Sequence, residues 1–411
     1  MQYGLIGEHL SHSYSCEIHA KIADYRYELC ELRPEEVGPF LERRAFHAVN
    51  VTIPYKQTVI PYLDEISPEA ERIGAVNTIV NRDGRLYGHN TDFAGMAALV
   101  RHAGVEVRGR KVLILGTGGT SRTAAAVMES LGAGQVLRVS RRDGTDTVRY
   151  EDAARLHADT QVIVNTTPVG MYPKDEGCPI DLALFPQLRG VLDAIYHPLR
   201  TNLVLDAQER GLPAEGGLYM LAAQAVYASA AFLGREPDPA LIDTAFRAVR
   251  SGKRNLVLTG MPSAGKTTVG RALAALTGRE FVDTDAEIVG RIGMPIADYF
   301  AWAGEPAFRV VEREVIAEQS RRDGIVLATG GGSVLDGRNV RALRRNGLVV
   351  FLDRSPDKLT ATSDRPLSSD PEALWRLYRE RYALYCRAAD LHLSADGRPE
   401  EIALAIQKEA L

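Results

Sequence analysis

The chain has 411 residues, which predicts more than one domain, because a single hydrophobic core seldom organises more than about 250–300 residues. Apolar residues make up 45% and charged residues 25%, a balance that excludes a wholly disordered chain. The 49 basic and 53 acidic residues leave a net charge of −4, which favours neither nucleic acid nor a membrane surface as a partner. Small molecules are therefore the expected ligands, and a homo-oligomer stays open.

Cysteine usage and the most apolar segment both indicate a cytoplasmic protein. The four cysteines show no CxxC spacing and are too sparse for a disulfide framework. The N-terminal residues lack the basic and apolar regions of a secretory signal. The most apolar stretch, residues 218–233, is shorter than the roughly 20 residues of a membrane helix and predicts a buried helix.

Short apolar runs alternate with helical patterns along nearly the whole chain. The runs that predict strands are QYGLIG, HAVNVTI, KVLILG, QVLRVS, VIVNTT, GVLDAIY, NLVLTG, EFVDTD, IVLATG and LVVFLD. This alternation predicts α/β domains with parallel sheets. Glycine-rich turns follow two of the strands, at residues 116–119 and 260–265, so we expect two separate nucleotide sites. The polar stretch at 251–253 predicts a short linker between the two domains.

Four polar segments precede the first glycine turn. They read HSYS, NVTIPYK, GAVNT and GHNTD. Each places hydroxyl or amide groups at a strand end or in a loop, where they could hydrogen-bond a polyhydroxylated ligand. Taken singly, each segment is more typical of a helix cap or a turn than of a binding site.

The segment KVLILGTGGTSRTAAAV predicts a strand, a glycine turn and a helix that together bind a dinucleotide. Gly116 permits the tight turn, Gly118 lets backbone N–H groups approach the pyrophosphate, and the helix N-terminus supplies a favourable dipole. Ser121 stands where the usual motif has its third glycine. A purely structural turn therefore stays open as the alternative.

The strand after this turn ends in Ser140, Arg141 and Arg142. An NAD enzyme usually presents a carboxylate to the ribose at this place, whereas arginines can pair with the 2′-phosphate of NADP. The sequence therefore favours NADP over NAD. The alternative is that both arginines are solvated surface residues, since Asp143 follows them directly.

Together with the later GGLYMLAAQA, these segments resemble the shikimate dehydrogenase family over residues 1–250. The resemblance implies a two-lobed fold, with a substrate lobe of residues 1–100 and 217–250 and a Rossmann NADP-binding lobe of residues 101–216. It implies reduction of 3-dehydroshikimate to shikimate with NADPH, with Lys56 and Asp92 as the catalytic pair. A lysine ammonium held by a carboxylate can protonate the oxyanion that hydride transfer creates.

The resemblance also implies the residues that bind the two ligands of this first part. Its substrate-binding positions are Ser13, Ser15, Thr52, Asn77, Asp92, Tyr196 and Gln224. The cofactor-binding positions, which include the glycine turn and the two arginines, are Gly116, Gly118, Gly119, Ser140, Arg141, Arg142, Thr166, Met171 and Gly217.

The segment GMPSAGKTT follows a predicted strand, opens a helix and satisfies the phosphate-loop pattern GxxxxGK[ST]. Backbone N–H groups of such a loop wrap phosphates, Lys266 would reach the β- and γ-phosphates, and Thr267 would bind Mg²⁺. ATP with Mg²⁺ is therefore the expected cofactor. The predicted ATP-binding positions are Gly260, Ser263, Gly265, Lys266, Thr267, Thr268 and Arg365.

The residues that follow the phosphate loop resemble shikimate kinase over residues 254–411. The resemblance rests on FVDTDAEI, EPAFRVVERE, ATGGGSV, DRPL and RYALY. It implies a P-loop NTPase fold with a parallel sheet, Asp285 as the catalytic residue at a strand end, and Asp283 beside Thr267 at the metal. The implied substrate-binding positions are Asp285, Arg309, Gly331, Gly332 and Arg381. Glu312 would position Arg309, although FRVVERE is also compatible with an ordinary charge-paired helix.

The segment before DRPL departs from the family it resembles. Shikimate kinases usually carry another arginine there that lies against the nucleotide, whereas this chain has none between Asp357 and Arg365. Arg365 would then be the only arginine of this segment, which acts as the lid over the nucleotide in the family it resembles. Lys358 or an arginine from elsewhere in the chain stays open as a replacement.

The two parts predict a bifunctional enzyme of aromatic biosynthesis, because the product of the first reaction is the substrate of the second. The first part would form shikimate, and the second would phosphorylate its 3-hydroxyl group with ATP. Two alternatives stay open. The first part could oxidise quinate with NAD, or the chain could be a shikimate-sensing scaffold that has lost its chemistry.

Overall fold

The computed structural model describes residues 1–10, 13–142, 144, 147–359 and 371–410. The chain divides into two compact units, Met1–Val249 and Arg250–Leu411. Within the described residues, no helix combines the length and the apolar composition that a membrane crossing requires.

A mixed sheet occupies the beginning of the first unit. Its strands are Tyr3–Gly7 (β1), Tyr27–Glu31 (β2), Ala48–Val51 (β3), Glu65–Ile66 (β4), Thr78–Arg82 (β5) and Arg85–His89 (β6). They lie in the order β2-β1-β3-β5-β6-β4. Ile6, Val49 and Val51 are buried in the apolar core beside this sheet. This core therefore fixes the positions of β1 and β3.

The first sheet is not wholly parallel, in contrast to the prediction, because β5 pairs antiparallel with both β3 and β6. Arg82 pairs with Arg85, so only Asp83 and Gly84 form the turn between β5 and β6. Both turn residues have positive φ, 52° and 81°. Asp-Gly is the favoured pair for such a two-residue hairpin turn. The dipeptide therefore signalled a hairpin that the search for alternating strands and helices overlooked.

The second sheet of this unit is parallel, as predicted. Its strands are Lys111–Leu115 (β7), Gln135–Ser140 (β8), Thr147–Arg149 (β9), Val162–Asn165 (β10), Gly190–Asp193 (β11) and Ala214–Glu215 (β12). The spatial order β12-β11-β10-β7-β8-β9 reverses direction at β7, and this is the strand order of a Rossmann fold. Ligands bind at such a reversal point, beyond the carboxyl ends of the strands.

Helices connect and cover the two sheets. They are Ser15–Ile22 (α1), Pro34–Glu42 (α2), Pro68–Ile73 (α3), Asp92–His102 (α4), Gly119–Ser130 (α5), Tyr150–His157 (α6), Asn202–Glu209 (α7), Leu218–Leu233 (α8) and Ala240–Lys253 (α9). The predicted buried helix is α8, and it packs closely on α4. A side chain at Gly95 of α4 would approach the Met220 carbonyl oxygen of α8 to 2.8 Å, so glycine permits this close approach.

The predicted linker at residues 251–253 is instead the last turn of α9, and β13 begins two residues later. The helical pattern continues because the Arg254 N–H donates to the Arg250 carbonyl at 2.9 Å. The carbonyls of Ser251 and Lys253 accept from the Arg279 guanidinium at 2.5 Å and from the Gly324 N–H at 2.9 Å. These bonds satisfy carbonyls that a helix end leaves without partners in the helix.

The described residues of the second unit form a parallel sheet with helices around it. Its strands are Asn255–Thr259 (β13), Phe281–Asp283 (β14), Val326–Ala328 (β15), Gly347–Asp353 (β16) and Leu391–Ser394 (β17), in the order β14-β15-β13-β16-β17. Its helices are Lys266–Thr277 (α10), Thr284–Ile292 (α11), Ile296–Ser320 (α12), Gly337–Asn346 (α13), Pro371–Ala388 (α14) and Pro399–Ala410 (α15). The central strand β13 leads directly into the predicted phosphate loop.

Candidate active sites

Lys56 and Asp92 form a close ion pair in the first unit. Lys56 follows β3, and Asp92 is the first residue of α4. The Lys56 Nζ atom lies 2.6 Å from the Asp92 Oδ2 atom, and the two side chains are 19% and 9% exposed. The ammonium is therefore held in one place while part of it stays open to a ligand. This geometry suits a group that donates a proton to a developing oxyanion.

A network of amide and hydroxyl groups surrounds Asn77. Its Nδ2 atom donates to Thr91 Oγ1 at 3.1 Å and to Gln224 Oε1 at 3.3 Å. The backbone N–H of Thr91 donates to Asn77 Oδ1 at 2.7 Å, which orients the Asn77 amide. Since Asp92 follows Thr91 in the chain, the structure brings Asn77 and Gln224 next to the segment that carries the ion pair.

The two predicted serines lie together at the beginning of α1. Ser13 Oγ is 3.1 Å from Ser15 Oγ, and the Ser15 N–H donates to Ser13 Oγ at 3.3 Å. The ring of Tyr14, between them in sequence, lies against Tyr196 with 5.3 Å between the ring centroids. Thr52 is half-buried after β3, and its backbone N–H donates to the Ile6 carbonyl at 3.0 Å.

The first glycine turn joins β7 to α5 and leaves open space at the helix N-terminus. Gly116 has φ of 111°, and a side chain there would approach Thr166 Oγ1 to 2.8 Å. Side chains at Gly118 and Gly119 would meet nothing within 4 Å. The first N–H groups of a helix have no partners within the helix. A phosphate can therefore approach them here.

Ser121, at the position of the motif's third glycine, is fully buried and donates to the Gly116 carbonyl at 2.7 Å. Its hydroxyl therefore closes the glycine turn from within α5, and the close packing that glycine usually provides is kept.

The remaining predicted cofactor residues lie at the carboxyl ends of strands or in the loops that follow. Arg141 and Arg142 are exposed just after β8, and the Arg142 N–H donates to Ser140 Oγ at 3.0 Å. Met171 is 44% exposed. Gly217 lies so close to the Ala194 carbonyl that any side chain would collide with it. Glycine at 217 is therefore required by packing.

The second glycine turn joins β13 to α10. Gly265 takes φ of 91°, and Ser263 takes φ of 62°, which is unusual for a residue with a side chain. Lys266 Nζ donates to the carbonyls of Gly260 at 3.0 Å and Met261 at 2.8 Å, and Lys266 is buried. The loop therefore encloses its own lysine.

Two aspartates flank this loop. Thr267 Oγ1 donates to Asp283 Oδ2 at 2.8 Å, and the Asp285 N–H donates to Asp283 Oδ1 at 3.0 Å. Asp285 was expected at a strand end but lies in the first turn of α11, because Asp283 ends β14 and caps that helix. Thr268 is exposed in the first turn of α10. Hydroxyl and carboxylate oxygens at Thr267 and Asp283 are suitable ligands for Mg²⁺.

Arg309 and Glu312 form a half-buried ion pair on α12. Arg309 Nη1 lies 2.8 Å from Glu312 Oε2, and Nη2 lies 2.7 Å from Glu305 Oε1. Burial raises the pKa of Glu312 above its usual value in spite of the adjacent guanidinium. The helical charge pairs that an ordinary exposed helix would show are present, but Glu312 is only 2% exposed.

The glycine segment after β15 brings the other predicted residues to this pair. A side chain at Gly330 would approach Asp285 Oδ1 to 2.7 Å, and one at Gly332 would collide with the Arg309 guanidinium. Arg381, buried on α14, donates from Nη1 to the Gly331 carbonyl at 3.1 Å. Asp285, Arg309 and Arg381 therefore converge on one glycine segment, which a merely charge-paired helix would not require.

Comparison with known proteins decides the family. A shikimate dehydrogenase (NADP(+)) from Clostridium beijerinckii is 35% identical over 243 residues, which cover 55% of this chain and 89% of that protein. The chain belongs to the shikimate dehydrogenase family. Within this part, the family model for the shikimate dehydrogenase substrate binding domain matches residues 5–79. The family model for shikimate kinase matches residues 262–410.

Two solved structures show the same fold over the shikimate dehydrogenase part. Shikimate 5-dehydrogenase from Thermus thermophilus, in complex with NADP(H) and shikimate, is 33% identical with a TM-score of 0.54, covering 60% of this chain and 99% of that one. Quinate dehydrogenase from Corynebacterium glutamicum, in complex with NAD, is 26% identical with a TM-score of 0.54, covering 60% and 99%. The predicted families and α/β folds are confirmed for both parts. The predicted cofactors, NADP(H) and ATP with Mg²⁺, agree with these matches.

The shikimate dehydrogenase part contains a buried carboxylate that the sequence analysis did not select. Asp193, at the end of β11, accepts hydrogen bonds from Asn165 Nδ2 at 3.0 Å, the Ile195 N–H at 2.9 Å and Thr201 Oγ1 at 2.7 Å. Burial raises the pKa of Asp193 to about 7. The available signal was a lone acid in the apolar run GVLDAIY.

Thr91 and Tyr385 were also missed, although both lie in segments that the sequence analysis quoted. Thr91 orients Asn77 as described above, and Tyr385 Oη donates to the Gly331 carbonyl at 2.5 Å beside Arg381. Each is adjacent, in the chain or in the fold, to a residue that was selected. The predicted lid residue Arg365 lies outside the described residues.

Proposed function

We propose that the chain catalyses two consecutive reactions: reduction of 3-dehydroshikimate to shikimate, followed by phosphorylation of shikimate at its 3-hydroxyl group. The observation that carries this proposal is the joining, in one chain, of a shikimate dehydrogenase part and a shikimate kinase match. The product of the first reaction is the substrate of the second. A single chain can therefore perform both steps with NADPH and ATP as co-substrates.

In the proposed reduction, Lys56 donates the proton and Asp92 holds its ammonium. Bound NADPH supplies the hydride. The 2.6 Å contact orients the Lys56 ammonium, so that it can stabilise and protonate the oxygen of the reduced ketone. Asn77 and Gln224, linked by a hydrogen bond, are suited to bind substrate hydroxyls. Ser13 and Ser15 supply hydroxyls at the start of α1 for the carboxylate.

The residues of the first glycine turn fit a dinucleotide. The open space at Gly118 and Gly119 lets a pyrophosphate approach the N-terminus of α5 without meeting a side chain. Arg141 and Arg142 are exposed beyond the neighbouring strand, where their guanidinium groups would hold the 2′-phosphate of NADP. Thr166, Met171 and Gly217 would complete the cofactor site.

In the proposed phosphorylation, Asp285 accepts or orients the proton of the attacking hydroxyl, and Arg309 and Arg381 bind the substrate carboxylate. Bound ATP supplies the phosphoryl group. Lys266 would leave its present carbonyl partners for the β- and γ-phosphates, while Thr267 and Asp283 would hold Mg²⁺. Glu312 keeps Arg309 in place through the 2.8 Å ion pair.

We also propose which region of the chain binds each ligand. Residues 1–100 and 217–250 would bind substrate, and residues 101–216 would bind NADP, since each of these regions is built around its own sheet or helices. Residues 254–411 would form the kinase part, which contains the sheet with β13 as its central strand.

Oxidation of quinate with NAD is the second candidate for the first part, because a quinate dehydrogenase in complex with NAD shares its fold. The two arginines after β8 argue against it, since NAD has no 2′-phosphate for them to bind. Steady-state kinetics with shikimate and quinate, each with NADP and NAD, separate the two candidates. A higher kcat/KM for quinate with NAD would contradict the proposal.

The proposal is tested by one coupled assay on the full chain with 3-dehydroshikimate, NADPH and ATP. We expect NADPH oxidation in the absence of ATP, and ADP together with shikimate 3-phosphate once ATP is added. Ligand binding without turnover of either kind would instead support a sensing scaffold. Phosphorylation of added shikimate without NADPH oxidation would contradict the assignment of the first part only.

A further inference from the structure

Arg354 lies beside the phosphate loop of the kinase part. It directly follows β16, which pairs with β13, the strand that leads into the loop. Thr259 of β13 is in register with Phe351, and a side chain at Gly260 would meet the Leu352 carbonyl at 2.6 Å. The Arg354 Nη1 atom lies 3.8 Å from the place where a side chain on Gly265 would begin. The guanidinium therefore borders the loop at the start of α10.

The charge of Arg354 is not compensated by any partner among the residues that the structure describes. The Arg354 Nε atom is buried and has no hydrogen-bond partner there. Its neighbour Asp353 accepts instead from Tyr378 Oη at 3.1 Å and interacts with His392 Nε2 at 3.0 Å. A buried donor without a partner costs free energy, so a ligand that accepts from it would be stabilised.

Several positive groups meet at this place. Lys266, the N-terminus of α10 and Arg354 all lie around Gly265, and a helix N-terminus carries a partial positive charge. Asp283, at the other side of the loop's Thr267, accepts from the Thr267 hydroxyl. Like charges held together at this place repel one another, and an anion bound between them offsets this repulsion by attracting each of them. The arrangement therefore suits a polyanion such as a phosphate chain.

We propose that Arg354 binds the phosphate chain of ATP and supplies the nucleotide-side cation that the segment before DRPL lacks. This inference rests on the proposed kinase function of the second unit. The other nearby cation, Lys358, is already paired, since its Nζ atom lies 2.9 Å from Asp396 Oδ2. An arginine offers several donors in a planar fork, and phosphate oxygens accept from such a fork in two places.

The test is steady-state kinetics and nucleotide binding with Arg354→Gln, Arg354→Lys and the matched control Lys358→Gln in the full chain. Loss of one charge-assisted contact predicts a KM for ATP and a Kd for ADP about tenfold higher in Arg354→Gln. Arg354→Lys should recover part of this loss. The KM for shikimate, and the NADPH oxidation of the other part, should not change. Lys358→Gln should leave all of these values near those of the parent chain.

Inhibition by adenosine locates the contact, because adenosine has the base but no phosphate. We expect its inhibition constant to be unchanged in Arg354→Gln. An equal loss for adenosine would place the guanidinium on the base, and an unchanged KM for ATP would exclude any nucleotide contact; either result overturns the inference. Phosphorylation of shikimate by the parent chain is the separate test of the kinase function, since its absence would refute the proposed function rather than the role of Arg354; Lys266→Ala should lose this activity.

Discussion

The two glycine turns of the chain are both proposed to bind phosphate groups, but their positive charge comes from different places. Each follows a central strand of a parallel sheet and opens a helix, β7 with α5 and β13 with α10. In the first turn, Gly118 and Gly119 face open space, and the arginines predicted to bind NADP come from the end of the neighbouring strand. In the second turn, Lys266 is part of the loop itself.

This difference follows from what each proposed site does with a phosphate. A dehydrogenase only holds the phosphates of its cofactor, and the proposed chemistry takes place elsewhere, at Lys56 and Asp92. A kinase transfers the phosphate, so its cation must lie where charge develops during the reaction. Changes around the first turn should therefore alter cofactor choice, whereas changes within the second should abolish turnover.

The largest effect is expected for Lys56→Ala, which removes the proposed proton donor and leaves the first glycine turn unchanged. NADPH oxidation with 3-dehydroshikimate should fall by about 10²- to 10⁴-fold, because a general acid typically contributes that much. Phosphorylation of added shikimate should continue, and it controls for the amount of chain assayed, while NADPH binding by the variant controls for folding of the first unit. An unchanged rate of reduction would contradict the role of the Lys56–Asp92 pair.

Lys266→Ala should give the reverse result. The rate of ADP formation with shikimate should fall by about 10²- to 10³-fold, the usual loss when one group that stabilises developing charge is removed. Oxidation of NADPH should stay at the rate of the parent chain. If both activities fell together in a folded variant, the proposal of two independent sites would be wrong.

Asp193 accepts a hydrogen bond from Asn165, and the next residue, Thr166, lies against Gly116 of the first turn. Because Asp193 is a buried acid, we expect the stability of the chain to depend on pH. Its pKa is about 7 in the folded chain and about 3.9 in an unfolded chain. The folded state therefore holds the proton more tightly. The stability from this group is fully present below about pH 4 and is lost as the pH rises through 7, by about 1.4 kcal/mol for each pH unit.

Denaturant unfolding of the full chain between pH 4 and 8 tests this prediction. Asp193→Asn keeps an oxygen acceptor and a polar group facing Thr201, but it cannot ionise. The difference in the free energy of unfolding between the parent chain and the variant should therefore change steadily in favour of the variant as the pH rises. A difference that is constant over this range would show that Asp193 is already ionised at low pH.

The smallest effect is expected for replacing Arg141 and Arg142 together by alanine. The KM for NADPH should rise about tenfold, while the KM for NADH should change little, because NADH has no 2′-phosphate to lose. Equal changes for both cofactors would indicate solvated surface arginines and would remove the contrast between the two turns.

Much of this fold could be predicted because its signals are local. Each apolar run that predicted a strand contains one, since burial on both sides of a parallel strand requires an uninterrupted apolar run. The helix predicted at 218–233 is α8. The hairpin at Asp83 and Gly84 was overlooked because strand β6 is polar at several positions. The linker predicted at 251–253 is helical, because tertiary hydrogen bonds to Ser251 and Lys253 satisfy the helix end.

The site residues also fall into those that local sequence predicts and those that only the fold brings together. The two glycine turns and the phosphate-loop lysine depend on residues that are neighbours in the chain, so the sequence by itself determined them. Only the tertiary structure decided that Asn77 bonds to Gln224, that Gly330–332 converge with Arg309 and Arg381, and that Arg354 borders Gly265. These residues are brought together by strand order and helix packing, and a side chain's partners across a sheet or between helices leave no periodic trace in its own segment.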